Sequence, residues 1–233
     1  MYYDRRTAIT LILDACHSLS STGLIARTWG NISARISDTS FLITPSGKGY
    51  ENMPGSDLVE VGINDLVPLT KGIPSSEKGI HAIAYQLRGD INFIVHTHQC
   101  YASCVSILQD SYLASLPCAR YGLNGSNQLI AAIGDAIRKN MTSGSFLMSN
   151  HGAFCLGKSY EEAFNACNEL EYKAKNYYRT LCGKFYIHGD DAYESFYQDF
   201  SIADNDYIEM INKDKGIFLL KSPYVLAISS LNR

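Results

Sequence analysis

Several features that would assign a chain to a class at sight are missing from this sequence. Its seven cysteines are an odd number and form no C-x-x-C pair; Cys100 and Cys104, four apart, come nearest. That spacing argues against a disulfide framework and reads the thiols as small apolar core residues of a reducing compartment. No stretch approaches the roughly 20 apolar residues that span a bilayer. The first residues, MYYDRRTAITLILDACHSL, do not read as a secretory signal, because Asp14 and His17 break the apolar run and no small-residue cleavage site follows. A cytoplasmic protein with no membrane partner is expected. There is no basic surplus either: a net charge of -3 argues against a generic nucleic-acid binder, which needs a cationic face for phosphates. Blocks of like charge, internal repeats, low-complexity linkers and the Walker and Rossmann glycine patterns are all absent.

What is present is an ordinary globular composition. The chain has 233 residues, 46% hydrophobic and 18% charged, enough for one large domain or two small ones with a proper core. Residues 4–22 carry apolar positions at Ile9, Leu11, Ile12, Leu13, Cys16 and Leu19, a broad helical face. Asn31–Ile36 and Ser40–Thr44 flank the turn-like Ser37-Asp38-Thr39 and read as a hairpin. Leu58–Val61, Asn92–His98 and Phe146–Met148 read as strands, and Gly157 closes another. Helices are expected over Glu77–Leu87, with Ser75 and Ser76 as capping candidates, and over Tyr101–Leu108, Gln128–Lys139 and Tyr160–Leu181, the last stopped by Gly183. Ile217–Ser229 is strand-like. Interleaved strands and helices make the class α/β or α+β, and the hairpin excludes a purely parallel sheet.

The sharpest local signal is Ile94-Val95-His96-Thr97-His98. On a strand, residues i and i+2 share a face and lie roughly 6.6 Å apart, so two imidazoles can converge on one cation. Two histidines at a polar strand end are an equally ordinary reading of H-x-H alone. A third histidine, His151, follows the apolar run Phe146-Leu147-Met148 and so also stands at a strand end. Of the remaining three, His17 reads as structural, His188 as a solvated loop residue, and His81 as a packing or hydrogen-bonding residue. Glu77, one turn before His81, is either a helix-start carboxylate favoured by the macrodipole, a fourth metal ligand or a general base. Three short polar segments offer the hydroxyls and backbone N–H groups of an anion cradle: Thr28-Trp29-Gly30-Asn31, Thr44-Pro45-Ser46-Gly47 and Pro74-Ser75-Ser76. Each alone reads equally as a turn.

Taken in order, four stretches resemble the class II aldolase family that contains L-fuculose-phosphate aldolase, ribulose-phosphate 4-epimerases and the adducin head domain. They are GLIARTWGNISARI, FLITPSGKGYENMPGSDLVEV, GIPSSEKGIHAIAYQLRGDINFIVHTHQCYASCVSIL and FLMSNHGAFCLGKSYEEAFNACNELEYKAKNYY, running from Gly23 to Tyr178. The resemblance implies a three-layer α/β/α fold with a mixed, largely antiparallel central sheet, residues 1–233 forming a single domain. It also implies a homotetramer with active sites between neighbouring subunits. By position, His96, His98 and His151 fall on the family's zinc ligands, sites that manganese or cobalt can also occupy. Glu77 falls on the carboxylate that binds the metal at rest and acts as base in turnover. Asn31, Ser46, Gly47, Ser75 and Ser76, with Thr28 and Gly30 alongside, fall on the loops that hold a substrate phosphate.

The implied activity is reversible cleavage of a small ketose 1-phosphate, of the fuculose, ribulose or 5-deoxyribulose type, to dihydroxyacetone phosphate and an aldehyde. The alternatives are an epimerase, dehydratase or decarboxylase on the same scaffold, or a non-catalytic adducin-like scaffold domain. The epimerases carry Asp in place of Glu77 and a Gly-Thr-Thr-His-Ala-Asp-like stretch after the H-x-H strand. This chain has Ser111-Tyr112-Leu113-Ala114-Ser115-Leu116-Pro117 there, which favours an aldolase. The family's aldehyde-protonating tyrosine falls in that region, with Tyr112 nearest and Tyr121 a second candidate. Beyond Tyr178 the resemblance fades; Tyr193, Tyr197 and Tyr207 are candidates for the aldehyde pocket.

Overall fold

A computed structural model describes residues 2–21, 24, 30–107, 116–186, 210–212, 217–220 and 227–230, the last three segments, with 21 and 179–186, as backbone only. The described residues contain five α-helices and ten strands. In chain order they are α1 (Arg5–Ser21), β1 (Gly30–Arg35), β2 (Ser40–Ile43), β3 (Val59–Gly62), α2 (Lys78–Leu87), β4 (Phe93–Thr97), α3 (Cys100–Ser106), β5 (Cys118–Ala119), α4 (Asn127–Lys139), β6 (Ser145–Met148), β7 (Gly152–Gly157), α5 (Tyr160–Tyr186), β8 (Met210–Asn212), β9 (Ile217–Leu220) and β10 (Ala227–Ser230). No described helix is long and apolar enough to cross a membrane.

Seven strands form one sheet in the order β3-β2-β1-β4-β7-β6-β5. Every pairing is antiparallel except that of β5 with β6. The fold is therefore the expected α/β class with a mixed, largely antiparallel sheet. Side-chain alternation divides the strands between two cores. Phe93 and Val95 of β4, with Ile32 and Ala34 of β1, face α1, α3 and α5 through Ile12, Val105 and Leu170. Ile94 of β4, with Phe154 and Leu156 of β7, faces α2 and α4 through Ile80, Ala84, Ile133 and Ile137. Helices thus cover both faces, and the central strands are buried on each side.

Local chemistry accounts for the element ends. The Asp4 carboxylate accepts from the Thr7 backbone N–H at 3.0 Å ahead of α1, and the Ser126 hydroxyl accepts from Leu129 N at 3.2 Å ahead of α4. The hairpin expected at Ser37–Thr39 joins β1 to β2, its turn held by the Ser37 hydroxyl on the N–H groups of Thr39 and Ser40. Three expectations need correction. Gly183 does not stop the long helix, which runs to Tyr186: a glycine inside a helix costs only about 1 kcal/mol, too little to end one by itself. The strand-like run Ile217–Ser229 is split into β9 and β10, which pair antiparallel with each other in a separate three-stranded sheet with β8. His17 is exposed on α1 rather than packed. The two-residue β5 had no periodicity to announce it.

The middle of the sheet tolerates little change. A methyl group on Gly152 would stand 2.4 Å from the Thr97 carbonyl oxygen, where β4 and β7 pair. Relieving that contact means separating two central strands. Gly152→Ala is therefore expected to cost about 1–3 kcal/mol, an overpacking penalty that lowers the thermal unfolding midpoint by several degrees. An unchanged midpoint would show that the β4–β7 junction has slack the packing denies.

Candidate metal centre and phosphate pocket

The site forms at one end of the three central strands. His96 lies on β4, directly across from Asn31 on β1 and Phe154 on β7. His98 follows in the connection to α3. That connection is pinned by Gln99, whose amide accepts from the Thr97 hydroxyl at 2.7 Å and donates to the Cys167 carbonyl of α5 at 3.0 Å. His151 arrives from the far side, at the end of the three-residue turn between β6 and β7. Asn150 supplies the left-handed residue of that turn (φ 54°), a conformation Asn tolerates, and His151 N bonds back to Met148 O at 3.0 Å. Glu77 stands one residue ahead of α2. The helix starts one residue later than expected, and the Ser75 hydroxyl accepts from Glu77 N at 3.2 Å instead of capping the helix proper.

These four residues converge. The candidate ligand atoms of His96, His98 and His151 all lie within 4.8 Å of one another. His96 Nε2 is 3.2 Å from His98 Nε2 and 3.2 Å from Glu77 Oε2, while His151 Nε2 is 3.3 Å from Glu77 Oε1. Donors bound at about 2.0–2.1 Å to a tetrahedral zinc lie roughly 3.3–3.4 Å apart, so these spacings suit one cation with little movement. His96 Nδ1 donates to the Ala153 carbonyl at 2.7 Å, which fixes the ring and turns Nε2 into the cluster. Both His151 ring nitrogens and Glu77 Oε1 are buried without a hydrogen-bond partner; the 3.3 Å contact between Nε2 and Oε1 lacks hydrogen-bond geometry. Buried polar atoms left so are costly unless a ligand takes them up, and a divalent cation is the ligand this donor set fits.

The charges agree with that reading. Burial pushes the Glu77 carboxyl up, but the imidazoles of His96 and His151 and the Asn31 amide outweigh it and hold the group well below the usual carboxylate range. Burial opposes a charge on His96, yet Glu77 beside it holds that imidazole above its ordinary value. His98 is driven down to about 3 and His151 to about 4, in both cases by burial first and by the neighbouring His96 second. At neutral pH two of the three rings are therefore neutral, the form that binds metal.

Glu77 and His98 also reach a pocket of about 360 Å³. Its rim is built from two of the three short polar segments, 44–47 and 74–76, which are stitched together: Ser46 N bonds to Ile73 O at 3.0 Å and Ser75 N to Thr44 O at 3.1 Å. Ser46, Gly47, Ser75 and Ser76 all line it, and Gly47 holds a left-handed φ of 70°. Gly30 and Asn31 line it as well, but the Asn31 amide is already engaged, donating to Glu77 Oε2 at 2.9 Å and accepting from His81 Nε2 at 2.5 Å. Thr28 and Tyr112, along with Tyr193, Tyr197 and Tyr207, lie outside the described residues, and Tyr121 is half exposed. Sequence reasoning missed Asn124, which lines the pocket from the loop ahead of α4; its signal was the Asn-Gly pair, since Gly125 (φ 71°) lets that loop lie against Ser76. His81 is fully buried and hydrogen-bonded, as expected.

A cluster of three imidazoles and a carboxylate that could hold one metal ion thus opens onto a serine- and glycine-rimmed pocket with room for a small polar molecule. The sequence matches the family described as Class II Aldolase and Adducin N-terminal domain over residues 10–178, and the chain belongs to that family. It is 33% identical over 189 residues to the L-fuculose phosphate aldolase of Escherichia coli (strain K12), covering 76% of this chain and 86% of that one. It is also 33% identical over 171 residues to the 5-deoxy-D-ribulose 1-phosphate aldolase of Bacillus thuringiensis serovar kurstaki, covering 69% and 79%. A solved structure of an L-fuculose 1-phosphate aldolase superposes with a TM-score of 0.68 at 28% identity, covering 84% of this chain and 97% of the other. Within the family this chain is a class II aldolase, a metal-dependent lyase.

Zinc at about a hundred times its Kd is expected to stabilise the protein by about 2.7 kcal/mol, read as a rise in the unfolding midpoint. Replacing His151 by Ala is expected to weaken zinc binding, measured by calorimetry, by more than the roughly tenfold to hundredfold that loss of a supporting partner costs. Equal affinity in the variant would remove His151 from the centre.

Proposed function

We propose that this chain reversibly cleaves a small ketose 1-phosphate to dihydroxyacetone phosphate and an aldehyde, with a divalent cation, zinc in the first place, held by His96, His98, His151 and, at rest, Glu77. The observation that carries the reading is the convergence of those four side chains, two of which, Glu77 and His98, line a pocket rimmed by Ser46, Gly47, Ser75 and Ser76. When bound, the cation supplies Lewis-acid polarisation of the substrate carbonyl. The rim hydroxyls and backbone N–H groups hold the phosphate away from the bond that breaks and so orient the sugar. Glu77 takes the proton from the donor carbon in condensation and returns it in cleavage.

The proposed substrates are supported by the names of the two aldolases above, which point to fuculose and 5-deoxyribulose 1-phosphates, with ribulose 1-phosphate between them in size. A homotetramer with sites between subunits is part of the proposal. It is supported by Ile73, 76% exposed, and Leu123, 64% exposed, which flank the pocket residues Ser75 and Asn124 and present apolar surface suited to a neighbour. Residues 1–233 are read as one domain. The free thiols of the described cysteines fit a cytoplasmic setting.

Incubation with each of the three ketose 1-phosphates and zinc is expected to release dihydroxyacetone phosphate from at least one; its absence from all three would overturn the cleavage reaction. Glu77→Gln is expected to lower kcat by about a hundredfold to ten-thousandfold, the usual worth of general acid–base help, while the unfolding midpoint holds. Ser46→Asp, which sets an exposed carboxylate on the rim, is expected to raise KM for the phosphorylated substrate and to leave the fold intact. A KM unchanged by that charge would place the phosphate elsewhere.

A further inference from the structure

Behind Glu77, away from the pocket, the side chains of β1 and α2 interlock in a buried polar stripe. Asn31, Ser33 and Arg35 lie at every second position of β1; Glu77, just ahead of α2, and His81 and Tyr85 within it lie at every fourth position. The two repeats nearly match, at roughly 6.6 Å along a strand and 6 Å along a helix, so the rows meet rung by rung. Tyr85 Oη lies 2.8 Å from Ser33 Oγ, and Ser33 Oγ lies 2.7 Å from His81 Nδ1. His81 Nε2 lies 2.5 Å from Asn31 Oδ1, and Asn31 Nδ2 lies 2.9 Å from Glu77 Oε2. His81 stacks on Phe41 (6.5 Å between ring centroids) and meets Phe154 edge-on (5.4 Å), so its plane is fixed.

Each bond in this chain has only one possible direction. An ionised carboxylate can only accept, so Asn31 must present its NH₂ to Glu77 and its carbonyl to His81. His81 Nε2 must then carry a proton. Burial keeps the ring neutral, at about 3, so Nδ1 is bare and takes the Ser33 hydroxyl proton. Ser33 has spent its only proton and accepts from Tyr85. Four donors in series therefore point at Glu77 Oε2, while Glu77 Oε1 is buried with no hydrogen-bond partner.

We propose that His81 is a positioning residue for the reaction: through Asn31 it locks Glu77 Oε2 as a permanent acceptor, so that Oε1 is the oxygen that exchanges the proton. The proposal rests on the reading of Glu77 as the base. Removing the His81 donor leaves the buried Asn31 carbonyl without a partner, so the amide is no longer held in place and the carboxylate it donates to loses its single orientation.

The most direct test is nitrogen NMR of the zinc-loaded, full-length protein labelled at histidine, with the His81 signals assigned by their loss in His81→Phe. The expected ring has a protonated Nε2 and a bare Nδ1; a protonated Nδ1 overturns the proposal. His81→Phe is expected to lower kcat by about tenfold to a hundredfold, with KM and zinc content little changed. His81→Gln, whose amide N–H reaches the same acceptor, is expected to recover part of that loss. Ser33→Ala is expected to act in the same direction less strongly, and it decides the matter, with the spectrum, should His81→Phe fail to fold. A kcat unmoved in both Ser33→Ala and His81→Phe, or Gln no better than Phe, counts against the chain. The two readings fail separately. Normal turnover in Glu77→Gln ends the base assignment and the positioning role that rests on it, while an Nε2-protonated His81 leaves the bond directions standing; lost turnover with an Nδ1-protonated ring ends the chain alone.

Discussion

A single buried carboxylate sets the terms for everything around it. Glu77 is withdrawn from water at the head of α2, where an isolated charge would be prohibitively costly. It stays ionised because His96, His151 and Asn31 are brought to it, and each comes from a different strand or turn. Breaking any one of those approaches leaves a buried charge short of compensation, a far larger penalty than the loss of a surface ion pair. The same crowding gives the site its chemistry: two rings, His98 and His151, kept neutral by burial, a carboxylate kept charged by its neighbours, and donor atoms at spacings that suit one cation.

The sheet order is what makes the crowding possible. Placing β1, β4 and β7 side by side puts Asn31, His96 and Phe154 on one row, and the register of that row puts Ala153 where its carbonyl can orient His96. His98 and His151 then come from the two ends that leave this row, one held by Gln99 against α5 and the other by a three-residue turn. On the pocket side the loops after β2 and before α2 are bonded to each other, which ties the serine rim to the segment that carries Glu77. The candidate metal cluster, the proposed base and the serine rim are thus three consequences of one strand arrangement.

Much of this was legible from residue spacing. The i,i+2 relation of His96 and His98 needs only a strand, and the apolar run ahead of His151 puts it at a strand end. The hairpin at Ser37–Thr39 is written in its turn residues. Other features depend on tertiary packing and leave no local trace. The pairing of Ser33 with His81 joins positions 48 apart, and neither residue is unusual in its own segment. Asn124 reaches the pocket only because Gly125 lets its loop lie against Ser76. Gly183 looked like a helix stop because glycine often is one, yet the helix passes through it. The two residues of β5 are too few to carry a period, and they pair only because the edge of β6 is there to receive them.

The central claim is that one cation and one phosphate share this pocket in a fixed order, metal on the histidine floor and anion on the serine rim. A crystal structure of the protein with zinc and a phosphorylated substrate analogue, the metal located by its anomalous scattering, tests it most directly. The account predicts a single zinc contacting His96, His98 and His151, with the analogue's phosphate against Ser46, Gly47, Ser75 and Ser76. A cation bound away from those three rings, or a phosphate on the far side of the sheet from that rim, would contradict it.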